Sequence, residues 1–119
     1  MAKKITVTFE DLKRANTLYE AERAEETRLR EEAKKEMLEQ LIAGINQQLE
    51  VFENFVRHRG LQRMLKMQEH VATCMPVHTK YGFKAIEFLP ELNEKLNPAG
   101  FEAQVVGETI VVGIKNSNS

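Results

Sequence analysis

The chain has 119 residues, 42% of them apolar, a net charge of −1 and one cysteine. That is one domain's worth of sequence with enough apolar mass for a modest core. A lone cysteine excludes an intramolecular disulfide and points to a reducing, cytoplasmic setting. The most apolar run, TIVVGI, is six residues long, far short of the roughly 20 a spanning helix needs, so no membrane partner is expected. MAKKITVTFED turns polar and acidic by Glu10 and does not read as a signal peptide. Charge is uneven: residues 1–56 carry a net −3, residues 57–84 a net +5 and residues 85–119 a net −3. The middle block is the one that would draw a polyanion.

In chain order, KITVTF (residues 4–9) alternates, with Ile5, Val7 and Phe9 on one face, and predicts a short half-buried strand. Thr8 or Asp11 is placed to cap a following helix, with Glu10 and Asp11 suited to its positive end. From about Glu10 to Arg59, fifty residues hold no proline and a single glycine, Gly44. A continuous helix of that length would span about 75 Å, whereas a compact domain of this size is only about 35 Å across. Such a helix either protrudes and finds a partner or bends and packs on itself.

The two halves of this segment differ. From Glu20 to Glu36, twelve of seventeen residues are charged and Leu29 is the one large apolar residue. The charges stand at i,i+3 and i,i+4 spacings that support an exposed helix by about 0.2–0.5 kcal/mol per pair. From Leu38 to Val56, residues Leu38, Leu41, Ile42, Ile45, Leu49, Phe52 and Val56 fall in one stripe about 100° wide, a core-facing pattern. A second seam about 120° away carries Leu12, Ala15, Tyr19, Ala33, Met37, Gly44, Val51 and Phe55, interrupted by Glu22 and Glu26. Either something outside the fold covers this seam, or one broad face packs within the chain. Leu12, Tyr19, Met37, Gly44, Val51 and Phe55 are therefore the candidates for self-association, a dimer first. The seam is too interrupted for a clean zipper heptad.

Gly60 punctuates the chain, and Leu61, Met64, Leu65, Val71, Ala72 and Met75 then recur at helical spacing, predicting a second helix that ends before Pro76. Residues 77–84 read as a loop. Residues 85–89 are compatible with strand or helix, and Pro90 opens a small helix to about Leu96. FEAQVV and TIVVGIK flank Gly107-Glu108, a two-residue hairpin loop with glycine first. Pairing Val106 with Thr109 puts Val105 opposite Ile110, Ala103 opposite Val112 and Phe101 opposite Ile114, so one face is apolar throughout. The fold class expected is α+β, predominantly helical: a long helix 10–59, a second helix, and a small antiparallel sheet made from strand 4–9 and hairpin 101–115. The domain expectation is a single domain, 1–119, with the rod at 10–59 and a compact end at 60–119.

Catalytic chemistry finds little purchase. His70, Cys74 and His78 are spaced four and four, and a helix would bring His70 and Cys74 together as zinc ligands. Pro76 breaks the pattern before His78, and only one close ligand pair is present, so no metal and no cofactor are expected. Cys74 lacks an orienting third group and an oxyanion pocket. The carboxylate pairs at Glu25–Glu26 and Glu31–Glu32 lie on a solvated face with nothing to raise a pKa, and the glycines are isolated rather than grouped to cradle a phosphate. No enzyme is expected. Arg57, Arg59, Arg63 and Lys66 form the basic run at the junction of the two helices. They fit an acidic protein surface, of this chain or another, or nucleic-acid phosphates. The expectation is a non-enzymatic protein that self-associates through its long helix and binds or inhibits a partner macromolecule, of the sort found among small accessory proteins of bacteria and their viruses. The alternative is a nucleic-acid-binding regulator that uses residues 57–66.

Overall fold

The computed structural model describes residues 4–77 and 80–115. The chain divides into two compact units, Met1–Ala33 and Lys34–Ser119. The long helix, α1 (Phe9–Arg59), contributes residues to both. The division falls inside α1 rather than at Gly60. Apolar residues at core-facing spacing begin just past it, at Met37, and the charged stretch before it offers nothing to bury.

In the N-terminal unit, the Thr8 backbone N–H donates to Asp11 Oδ2 (2.9 Å) and the Asp11 N–H donates to Thr8 Oγ1 (3.2 Å). This reciprocal capping box starts the helix at Phe9. Residues 4–9 are accordingly not a strand: Lys4 to Thr8 pair with no strand and Phe9 is already helical. Side-chain pairs support the turns that follow, among them Lys13–Glu10, Arg14–Asp11, Arg23–Glu26, and Arg28 with both Glu25 and Glu32. All are solvent-exposed, so each contributes a fraction of a kcal/mol. No described residue of this unit is buried.

In the C-terminal unit, α1 buries Met37, Leu41, Ile45 and Phe52. At 100° per residue these lie within about 80° of one another, between the two expected seams. For this half of the helix the seams are one broad face, with Leu38, Ile42, Gly44, Leu49, Phe55 and Val56 half-buried along its margins. Gly60, at φ +85°, takes a backbone turn that suits only glycine and separates α1 from α2 (Leu61–Met67). The second helix is thus shorter than its spacing suggests. Gln68 is already extended, and Ala72–Cys74 form a strand, β1. The β-branched residues Val71 and Thr73 favour that conformation, and β1 supplies a partner for a strand that would otherwise be an open edge.

The sheet has three antiparallel strands in the order β1, β3 (Thr109–Ile114), β2 (Phe101–Val106). The hairpin register is the expected one at all six pairs, from Phe101 opposite Ile114 to Val106 opposite Thr109. Gly107 has φ +66° while Glu108 stays at negative φ, as a glycine-first turn requires. The third strand is β1, not residues 4–9. Each outer strand has one residue held by a side-chain amide. Gln48 on α1 accepts from Thr73 N–H (2.9 Å) and donates to its carbonyl (2.6 Å). Asn93 does the same to Ala103, at 2.7 and 3.2 Å. Each amide imitates a neighbouring strand at one residue of the edge.

Residues Ala85–Phe88 form a 3₁₀ turn, with the Lys84 N–H donating to Glu87 Oε2 at 2.8 Å. It runs into α3 (Leu89–Leu96), where Pro90 sits in the first turn. Phe88, Ile45, Leu92, Met64, Ile110 and Val112 are fully buried and centre the core. Phe83 meets Phe88 edge-on, ring centroids 5.7 Å apart. Central strand β3 buries Ile110, Val111 and Val112 in succession.

Candidate interaction surfaces

The basic residues Arg57, Arg59, Arg63 and Lys66 are all exposed. Arg59 stands over the Phe55 ring, 5.0 Å from its centroid. Among the described residues none of the four has a carboxylate within ion-pair distance, so the acidic side chains of α1 do not neutralise them. Their placement divides them. Arg57 and Arg59 are about 160° apart around α1 at 100° per residue, whereas Arg63 and Lys66, three apart on α2, share a face. This is positive charge wrapped around a helix end rather than one flat patch.

The self-association candidates also separate. Met37 is only 5% exposed and belongs to the core of its own unit, which corrects its place in that set. Gly44 and Phe55 are half-buried. A Cβ at Gly44 would meet nothing within 4 Å, so no neighbour within the chain requires glycine there. Leu12, Tyr19 and Val51 are each more than half exposed. Around Leu12 and Tyr19 the exposed apolar set is larger than the sequence pattern selects: Ile5, Val7, Phe9 and Leu18 join it, with Ile5 at 90% and Phe9 at 69%.

The metal candidates do not assemble on a helix. His70 lies between α2 and β1, Cys74 ends β1, and His78 lies outside the described residues. Among the described residues no three His, Cys, Asp or Glu side chains gather to hold a metal. Burial pushes the Cys74 thiol up to about 11, so it is protonated at neutral pH and is no ready nucleophile.

Open grooves mark the surface of the C-terminal unit. One, about 450 Å³, runs between α1 and the open end of the hairpin, with Leu49, Phe52, Val56, Phe101 and Ile114 in its wall and Glu50 and Glu53 at its rim. Phe52 and Val71 separate it from a second groove of about 360 Å³ lined by Gln47, Gln48, Val51 and Phe55. Volumes of this size match sites that take small apolar groups. The first groove joins residues some fifty positions apart, and no local pattern announces it. Gln48 and Asn93 do leave a local signal: each is a polar residue on the buried side of an amphipathic helix, which calls for a hydrogen-bond partner.

No family model, curated protein or solved structure matches the chain. Among the described residues no helix is long and apolar enough to cross a membrane.

Proposed function

We propose that this is a non-enzymatic interaction protein that self-associates, with a dimer as the first state, and that binds an acidic partner macromolecule through the charge at the end of α1. The observation that carries the reading is the N-terminal unit. It presents Ile5, Val7, Phe9, Leu12, Leu18 and Tyr19 to solvent and buries none of them. Helices in proteins draw most of their stability from packing an apolar face, and large apolar side chains gathered in one unit with none buried support a contact site there. Light scattering across a concentration series tests it: the mass is expected to approach twice the chain's 13.7 kDa, and a monomer at every concentration overturns it. Gly44→Leu sharpens the test. It removes a glycine that costs a helix about 1 kcal/mol, so the monomer gains stability, while association weakens where helices meet at Gly44.

A second reading, a nucleic-acid-binding regulator, is favoured by one observation, the absence of carboxylate partners around Arg57, Arg59, Arg63 and Lys66 among the described residues. Binding to arbitrary duplex and single strands, falling steeply with added salt, is its expected signature. No binding at low salt removes it and leaves an acidic protein surface as the partner.

A further inference from the structure

We propose that the groove rimmed by Glu50 and Glu53 is the docking site for residues 4–9 of a second copy of this chain. The inference rests on the self-association reading above and names its contact. The argument for this occupant is charge. Lys3 and Lys4 precede Ile5, Val7 and Phe9, and no acidic residue occurs before Glu10, so residues 4–9 are apolar with one positive charge, Lys4, and a second, Lys3, directly before them. The groove has an apolar wall and two exposed carboxylates, neither with an ion-pair partner among the described residues. Three other grooves of this unit do not match. The one beside Val51 has no charged side chain in its lining, the one beside Leu92 has Lys95, and the one beside Phe83 balances Lys84 against Glu108.

Recognition runs through side chains rather than by strand addition. At Thr73 and Ala103 the outward backbone groups are already taken by Gln48 and Asn93, which interrupts the pairing an added strand would need. Ile5 and Val7, two residues apart, fall on one side of an extended segment, the spacing needed to enter a groove walled by Leu49, Phe52 and Phe101. Complementary charge at the rim then sets the direction of entry.

The test is the dimer dissociation constant from light scattering of the full chain. Ile5→Asp with Val7→Asp is expected to weaken association at least about tenfold, since a charge would enter an apolar wall. Both positions are exposed and outside any helix or strand, so the fold is retained. Glu50→Lys with Glu53→Lys is expected to weaken it by about tenfold through like-charge repulsion. Adding Lys3→Glu with Lys4→Glu to that variant is expected to restore the affinity to within about threefold. A wild-type dimer indifferent to both pairs overturns this contact while leaving self-association in place, as does a charge swap that recovers nothing. A wild-type monomer at every concentration removes the self-association reading and this contact with it.

Discussion

Residues 9–33 and 34–59 belong to one helix, yet they are held by different physics. The second stretch buries four large side chains in a core shared with α2, α3 and the sheet. The first buries none, and is held by a capping box and a ladder of exposed ion pairs. Helix formation is thus achieved twice, once by tertiary packing and once by local pairing. Only the first of these routes leaves the helix surface spent. The second leaves it free, and for that reason the self-association reading is centred on the N-terminal unit.

The largest expected effect separates the two regions outright. Phe88→Ala removes a fully buried ring that meets Phe83 edge-on and is expected to cost about 3–5 kcal/mol in denaturant unfolding. Tyr19→Ala, on the exposed half of α1, is expected to change the same transition by less than about 0.5 kcal/mol and to act on association instead. Equal effects at the two sites would mean that the exposed half is packed in solution.

The next effect distinguishes the two sheet edges. Asn93 meets Ala103 in a part-buried setting, whereas the Gln48 bonds to Thr73 are open to water. Asn93→Ala is expected to cost about 1–3 kcal/mol because its orphaned partners are shielded, and Gln48→Ala only about 0.5–1.5 kcal/mol because water replaces the amide. Either change uncovers a strand edge, so a concentration-dependent rise in light scattering is expected to accompany the loss.

How far such features can be read from sequence depends on how local their causes are. The hairpin was legible to the residue because turn chemistry and alternation agree independently on one register, with Gly107 in the turn and Ala103 opposite Val112. The helix was legible for want of anything to break it. Residues 4–9 and 72–74 exchanged roles because alternation in KITVTF is genuine, but the capping box claims Thr8 and Phe9, and Thr73 and Ala103 on the outer strands already have amide partners. At three residues, β1 is too short for a period to show, and Leu61, Met64 and Leu65 extend a helical pattern toward it. The Glu50–Glu53 groove was out of reach because its walls meet only after α1 and the hairpin have folded together.

The smallest effects concern the capping box that opens α1. Thr8→Ala is expected to cost about 0.5–2 kcal/mol of local helix stability. It appears as faster hydrogen exchange confined to the first turns while the global unfolding transition stays put. Asp11 supplies the pH-dependent counterpart. Its carboxyl is held below the ordinary value of 3.8, first by the hydrogen bond from the Thr8 backbone N–H and then by the Thr8 hydroxyl. A carboxyl with a depressed folded pKa contributes stability that is present above the unfolded value and lost as pH falls through the folded one. Fraying of the first turn is therefore expected to begin as pH drops below about 4 and to be complete below the depressed value, read from the amide shifts of Phe9 to Leu12. Asp11→Asn removes that titration and leaves the first turn frayed to the same extent at pH 3 and pH 7. A first turn of the wild-type chain that stays ordered after Asp11 has been fully protonated would show that its carboxylate does not hold it.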